Sequence, residues 1–459
     1  MSSHKILAFL LSVYALLAGI CLVVPQDGFR IGPVNLAFPT LGDVKDVFFH
    51  KEKEPAGPTP EELLEQRMAA VRQAEQDRFK TYFTTSPARI YLPGDNLHYF
   101  DSFFASLDNA HSKHVRILHY GDSQIEEDRI TGAVRAGLQK RFGGGGPGLM
   151  PFGRPYYTQG FSQSSTANLH RYLLFSEGSR RSDGRYGIMG QMSRCDTSVY
   201  TTVAPVKSNQ TPSRHFNRLT LLANGKLNVK LGGKQYTLAT SGSEVGRLVI
   251  SLPDSSTTAR WSTWGSADIY GFQLDDSLGV SMDNIPMRGC SGTVFTRINR
   301  NQIVEYASKD NVRLIILQFG GNAMPYRKSE KSISEYKEQL KKQIAYLHEV
   351  IPSAAILFVG PSDMSTSVRG HMQTYPHLPM MVDSLRAAAN ESGAAFWDMY
   401  SAMGGENSMV EWVKARPALA GSDYVHFTPK GAEAIGNLLL ESLMLYYDYY
   451  HLRNGGKNR

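Results

Sequence analysis

Short apolar runs, each followed by a stretch with helical spacing, constrain the fold of this chain more than any other feature. VRILHY (115–120) precedes such a stretch at 126–142, and VRLIILQF (312–319), AAILFV (354–359) and AAFWDM (394–399) continue the series. This alternation of strand and helix predicts an α/β domain, in which helices sandwich a parallel sheet. In such domains ligands bind beyond the carboxyl ends of the strands.

The segment between the first two units has a different pattern. It is rich in Ser, Thr and Gly, and its short alternating runs, such as RLVISLP (247–253), are separated by turn pairs at Asn224-Gly225 and Gly232-Gly233. Such runs are typical of antiparallel sheets. We therefore predict an inserted all-β sandwich over 154–280.

The position of this insertion leads to two expectations. Both of its ends should leave from the carboxyl edge of the parallel sheet, so that the sandwich overhangs the site there. Its aromatic residues Trp261, Trp264 and Tyr270 are candidates for stacking on sugar rings, and equally for filling the sandwich core.

The N-terminus carries an uncharged run from Ile6 to Val24. A bilayer core requires about 20 apolar residues, and the core of a signal peptide has only roughly 7–15, so residues 1–25 are predicted to be a membrane anchor or signal segment, with an uncleaved anchor favoured. Residues 26–85 are predicted to form a linker and a polar helix, which has Thr59 as its N-cap, Pro60 at its first position and runs to Lys80.

Composition narrows the classes of partner. The chain of 459 residues has 42% hydrophobic residues and a net charge of +7, but its basic residues are interspersed with acidic ones, which gives no nucleic-acid signature. No pattern of metal-ligand spacing occurs, so we expect no metal or other cofactor. Cys195 and Cys290 lie outside the apolar run, and whether they pair is open.

Two separate motifs suggest nucleophilic catalysis. GDS places Ser123 in the turn between the first strand and its helix, where the hydroxyl can be exposed and the backbone N–H can face an oxyanion. GSDYVHFTPKG places Asp423 three residues before His426, close enough for the carboxylate to orient the imidazole. Each motif alone also fits an ordinary turn or helix cap.

Two glycine-containing turns offer oxyanion donors. Gly-Gly-Asn follows the strand at 312–319, and the Asn322 amide can donate there. MRGCSG offers the backbone N–H of Gly289.

Taken in order, GDS, a glycine turn, GGN and DxxH resemble the four sequence blocks of the SGNH (GDSL-like) hydrolase superfamily. The resemblance implies a flavodoxin-like hydrolase domain formed by residues 86–153 and 281–459. It implies Ser123, Asp423 and His426 as the catalytic triad. It also implies Ser123, Gly289 and Asn322 as oxyanion donors, with Gly292 as a substitute for Gly289 because RGCSG departs from the usual second block.

A β-sandwich between the first two blocks is similar to the arrangement in bacterial peptidoglycan O-acetylesterases. This resemblance implies an exported, membrane-anchored serine esterase of the cell envelope, which removes O-acetyl or other small acyl groups from an acylated glycan. Two alternatives remain open: a lipase or glycan O-acyltransferase with the same triad, and a non-catalytic glycan-binding envelope protein.

Overall fold

The computed structural model describes residues 3–25, 28–49, 60–206, 214–242 and 244–455. The chain divides into one unit of residues 1–74 and another of residues 75–459. The elements that begin in the first unit are α1 (Ser3–Val23), β1 (Phe29–Ile31), β2 (Val34–Leu36), α2 (Leu41–Phe49) and α3 (Pro60–Thr85).

Helix α1 contains an unburied stretch, His4–Val23, that is long and apolar enough to cross a membrane. It is the one such stretch in the described part of the chain. Helix α3 continues to Thr85, beyond the predicted end at Lys80, whereas the predicted N-cap Thr59 lies outside the described residues.

The second unit holds the remaining elements. In chain order they are β3 (Ile90–Tyr91), α4 (Asp101–Asp108), β4 (Val115–Gly121), α5 (Thr131–Phe142), β5 (Gly148–Met150), β6 (Tyr156–Tyr157), β7 (Phe161–Ser165), β8 (Arg171–Leu173), β9 (Gln191–Cys195), β10 (Val199–Pro205), β11 (Arg218–Leu231), β12 (Lys234–Ala239), β13 (Gly246–Ser251), β14 (Ala259–Asp275), β15 (Val280–Pro286), α6 (Arg300–Lys309), β16 (Val312–Gln318), α7 (Glu330–Val350), β17 (Ala355–Val359), β18 (Ser365–Val368), β19 (His371–Thr374), α8 (Leu378–Glu391), β20 (Ala395–Trp397), α9 (Met399–Ala402), α10 (Ser408–Lys414) and α11 (Pro429–Arg453).

The predicted parallel sheet is present. Its strand order is β15-β4-β16-β17-β20-β3, and only β3 at the edge runs antiparallel to its neighbour. Every residue of β4 is buried, because apolar cores cover both faces of the sheet. Helices α4, α5 and α11 pack on one face, and α6, α7 and α8 pack on the other.

The chain departs from the predicted helix directly after Ser123. A helix from Glu126 to Phe142 was expected, but a short 3₁₀ segment spans Ser123–Asp128 and α5 begins only at Thr131. Glu127, Asp128 and Ile130 have φ values of 63°, 69° and 63°, which L-residues rarely adopt and which interrupt a helix. The expected start of this helix was therefore wrong.

The insertion forms an antiparallel sheet of ten strands, β5 to β14, organised along the long pair β11 and β14. Gly232-Gly233 forms the predicted turn between β11 and β12. Asn224-Gly225 does not form a turn but lies inside β11, opposite Asp268 and Ala267. A Cβ on Gly225 would lie 2.5 Å from the Ser266 carbonyl oxygen, so this glycine permits close strand pairing rather than chain reversal.

The ends of the insertion leave from the amino edge of the parallel sheet, not from the carboxyl edge as expected. Val280 N–H, at the start of β15, donates to the Gly143 carbonyl oxygen at 3.0 Å, so the entering and leaving chains meet there. The expectation failed because α5 carries the chain back across the sheet before the insertion begins.

Two of the three aromatic candidates for sugar stacking lie in cores. Trp261 is 1% exposed and packs on Phe272, and Tyr270 is also 1% exposed, so neither presents a ring face to a ligand; Trp264 is half-buried. Cys195 and Cys290 are both buried and unpaired.

Candidate active site

Ser123 lies at the carboxyl edge of the parallel sheet, between the ends of two neighbouring strands. It follows β4, whose last residue Gly121 is in register with Pro286 of β15 on one side and Gln318 of β16 on the other. The turns that follow β15 and β16 therefore flank Ser123.

The structure brings Ser123, His426 and Asp423 into one hydrogen-bonded chain. Ser123 Oγ lies 2.8 Å from His426 Nε2, and His426 Nδ1 lies 2.7 Å from Asp423 Oδ2. Because the carboxylate accepts the proton on Nδ1, Nε2 is left to accept the proton of the serine hydroxyl.

The backbone around His426 fixes the position of Asp423. Asp423 Oδ1 accepts hydrogen bonds from His426 N–H at 3.0 Å and Val425 N–H at 3.1 Å. Burial raises the pKa of Asp423, but its hydrogen bonds with the His426 side chain and these two N–H groups outweigh burial and lower it. Asp423 is therefore held as the carboxylate.

Gln124, which was not predicted, connects the serine turn to the histidine loop. Its Nε2 donates to the Val425 carbonyl oxygen at 2.5 Å, and its Oε1 accepts from Phe427 N–H at 3.4 Å. Gln124 thereby holds the residues on both sides of His426. The sequence gives no signal for this contact beyond the adjacency of Gln124 to Ser123.

The predicted oxyanion donors are placed unequally. Asn322 lines the cavity at Ser123, and its Nδ2 donates to the Cys290 carbonyl oxygen at 3.2 Å, which leaves its second N–H for a ligand. Gly289 is exposed in the turn after β15 and does not line the cavity. Gly292 is buried, and its N–H donates to Cys290 Sγ at 3.3 Å, so it is the less available of the two glycines.

A cavity of about 240 Å³ opens beside Ser123. Besides the serine, histidine and Asn322, it is lined by Asp122, Gln124, Gln318, Phe319, Gly321, Pro325, Tyr326, Pro361, Ser362, Met364, Tyr375, Met399 and Val425. A larger cleft of about 950 Å³ shares no residue with it and lies at the amino edge of the sheet, beside Gly143 and Gly279. Within the described ranges, no group of three or more His, Cys, Asp or Glu side chains is arranged to hold a metal ion.

Asp122 is a second carboxyl group in this cavity. Its Oδ1 accepts from Gln124 N–H at 2.9 Å, yet the residue is only 5% exposed. Burial raises the pKa of Asp122 to about 6, although that hydrogen bond and the charge of His426 act in the opposite direction. The folded protein therefore binds this proton more tightly than the unfolded chain does.

This carboxyl group should reduce stability near neutral pH. Because its pKa is higher in the folded state, the free energy of unfolding should fall as the pH rises from about 4 to 6 and remain lower above that. We expect Asp122→Asn, which keeps the Oδ1 acceptor, to raise the unfolding free energy by about 1–3 kcal/mol at pH 7.5 and by almost nothing at pH 4. Urea denaturation at both pH values would measure this, and an equal change at both would contradict it.

Comparisons with known proteins agree with the observed fold. Residues 254–434 match the GDSL-like Lipase/Acylhydrolase family. No match was found among curated proteins. The solved structure of a peptidoglycan O-acetylesterase superposes with a TM-score of 0.63 at 20% identity, covering 77% of this chain and 98% of that one.

Other solved structures overlap less. An acetyl xylan esterase has a TM-score of 0.28 at 12% identity, covering 36% of this chain and 81% of its own. A catalytic mutant of an acetylxylan esterase from Geobacillus stearothermophilus has a TM-score of 0.26 at 15% identity, covering 37% and 73%. The predicted SGNH hydrolase fold with an added antiparallel domain is confirmed by the family match and the peptidoglycan esterase structure.

Proposed function

We propose that this chain, which carries a GDSL-like hydrolase domain of SGNH fold, is a serine esterase that removes O-acetyl groups from a cell-envelope polysaccharide such as peptidoglycan. The observation that carries the proposal is the hydrogen-bonded chain from Ser123 through His426 to Asp423 at the carboxyl edge of the sheet. The likeness to the solved peptidoglycan O-acetylesterase, with its TM-score of 0.63, supports the choice of peptidoglycan as the glycan.

The geometry supports a two-step reaction. His426 Nε2 takes the proton of Ser123 as Oγ bonds to the acetyl carbonyl carbon, and Asp423 stabilises the imidazolium. His426 returns the proton to the sugar oxygen as its bond to the acyl carbon breaks, which leaves acetyl-Ser123. Water then attacks this ester with His426 again as the base, and acetate leaves as His426 returns the proton to Ser123.

Backbone and amide donors would stabilise the tetrahedral oxyanion. Ser123 stands at the start of its 3₁₀ segment, and its N–H and that of Gly289 have no partner in the described part of the chain. The Ser123 N–H and the second N–H of Asn322 are the donors that we assign to the oxyanion, whereas Gly289 lies outside the cavity.

The size of the cavity supports a small acyl group. About 240 Å³ is below the range of roughly 300–1,000 Å³ that is usual for drug-sized ligands, and the Phe319, Met364 and Tyr375 side chains that line it suit an acetyl methyl group. A long-chain lipase would need more apolar space than this cavity has.

Hydrolysis of p-nitrophenyl esters of increasing chain length tests the proposal. We expect kcat/KM to be highest for acetate and to fall by at least about tenfold by octanoate, because the longer chain exceeds the cavity. A preference for octanoate would favour the lipase. Transfer of acetyl to an added sugar in preference to water would favour the acyltransferase, and no hydrolysis of any ester would favour the non-catalytic protein.

We propose further that α1 anchors the enzyme outside the cytoplasm. Its apolar stretch is long enough to span the hydrocarbon core, and none of that stretch is buried against protein. The full chain should therefore sediment with membranes and stay there in 1 M salt, which shortens the Debye length to ~3 Å and so weakens electrostatic attachment. A protein beginning at Pro60 should not sediment with membranes. Release of the full chain by salt would contradict insertion in the bilayer.

A further inference from the structure

Four arginines converge where the insertion meets the loop that follows Ser123. Arg129 and Arg288 belong to the hydrolase domain, whereas Arg154, in the loop before β6, and Arg171, in β8, belong to the insertion. We call these four residues the arginine cluster.

Backbone contacts fix the positions of the two inserted arginines. Leu169 N–H donates to the Gly153 carbonyl oxygen at 2.9 Å, which places the segments of Arg154 and Arg171 side by side. Gln159 N–H donates to the Glu127 carbonyl oxygen at 2.9 Å, so the same part of the insertion lies against the Ser123 loop.

A side-chain hydrogen bond holds the insertion against β15. Tyr156 OH donates to Asn284 Oδ1 at 3.4 Å, just before the turn that carries Arg288. Burial and the charges of Asp128 and Glu126 raise the pKa of Tyr156, which shows that these carboxylates are close to the insertion.

Acidic residues do not balance the cluster. Glu126 Oε2 lies 3.7 Å from Arg288 Nη1 and 4.0 Å from Arg129 Nη2, and it is shared between them. Asp128 is already paired with the buried Arg135 at 2.5 Å.

Arg154 and Arg171 have no carboxylate within 4 Å among the residues that the structure describes. Arg171 Nη1 donates to the neutral Gln191 Oε1, at 3.4 Å. Burial and the charge of Arg154 lower the pKa of Arg171, although Glu126 acts in the opposite direction. Even if the exposed Glu127 is counted together with Glu126, the cluster has four positive charges and two negative ones.

We propose that the arginine cluster binds a carboxylate of the polysaccharide whose acetyl ester is at Ser123, so that the substrate is an acidic acetylated glycan. Guanidinium groups bind carboxylates through paired N–H donors, and an unbalanced group of them attracts anions. Tyr157, 64% exposed in the same part of the insertion, offers a ring face to a neighbouring sugar. The proposal rests on the esterase function above and adds the charge of its substrate.

Acetate release from O-acetylated peptidoglycan tests the proposal, with the carboxyl groups of the polymer either free or converted to amides. We expect wild-type protein to prefer the free-carboxyl polymer. The double variant Arg154→Gln/Arg171→Gln should lose about tenfold or more in kcat/KM on that polymer and be unchanged on the amidated polymer and on p-nitrophenyl acetate. Arg260→Gln, an exposed arginine elsewhere in the insertion, is the matched control and should behave as wild type.

Equal wild-type activity on both polymers, or an equal loss by the double variant on all substrates, would overturn the proposal. If wild-type protein releases acetate from neither polymer, the esterase function fails on this substrate, and carboxylate binding by the arginine cluster needs a separate test. Electrophoresis through gels that contain polygalacturonate or xylan provides it. Retardation by polygalacturonate alone that is lost in the double variant would support the cluster, whatever the esterase result. Absence of such retardation would overturn it.

Discussion

Ser123→Ala is expected to lower kcat for p-nitrophenyl acetate by at least about 1,000-fold while the protein stays folded. The variant removes Ser123 Oγ, which is the atom that would bond to the acyl carbon and whose proton His426 Nε2 would take. Ser123 is half-buried, and its hydroxyl hydrogen-bonds to His426 within the described part of the chain, so the core loses little in the variant.

Steady-state kinetics and circular dichroism measure the two parts of this expectation. Ser106→Ala, at a partly exposed position of α4, is the control and should keep wild-type kcat. A kcat for Ser123→Ala within tenfold of wild type, in a folded protein, would remove Ser123 from the mechanism.

Arg116→Leu is expected to destabilise the protein by about 3–5 kcal/mol, because it leaves the buried Asp283 without its cation and takes one of two arginines from each of the other two carboxylates it contacts. Arg116, in β4, is fully buried and pairs with Asp283 at 2.6 Å and with Asp275. Its Nε lies 3.5 Å from Asp310 Oδ1. These acidic residues come from the insertion, from β15 and from the end of α6. The network therefore joins the insertion to the hydrolase domain.

The free energy of unfolding in urea measures this effect. Arg313→Leu, on the neighbouring strand and half-exposed, should change it by less than about 1 kcal/mol. A loss below about 1 kcal/mol for Arg116→Leu would mean that water or a rearrangement compensates the carboxylates, and that the network is not the main connection of the insertion.

Local patterns in the sequence were sufficient for the elements that face a core. The runs at 115–120 and 312–319 form β4 and β16, because short, mainly apolar runs followed by turn residues are typical of strands that are buried on both faces. The turn after β4 was placed at the carboxyl edge of the sheet because parallel strands bring their carboxyl ends to one edge. The loop before α11 was recognised from the three-residue spacing of Asp423 and His426 ahead of Pro429. Ser123, Asp423 and His426 meet at the carboxyl edge of the sheet.

Features set by contacts between distant segments could not be predicted. The backbone of Glu127 to Ile130 takes positive φ where helical propensity favours a helix, while Arg135 pairs with Asp128. Asn224-Gly225 has the composition of a turn, but pairing with β14 extends the strand through it. Gln124 and the arginine cluster depend on partners far away in the chain, which a single sequence does not reveal.

Acetate released from O-acetylated peptidoglycan, quantified together with the masses of the glycan fragments, tests the esterase proposal most directly. Wild-type protein should release acetate and lower the mass of the acetylated fragments by one acetyl group each, and Ser123→Ala should leave them unchanged. Fragments that keep their acetyl groups with wild-type protein that hydrolyses p-nitrophenyl acetate would contradict peptidoglycan as the substrate. Acetate released equally by Ser123→Ala would contradict the serine mechanism itself.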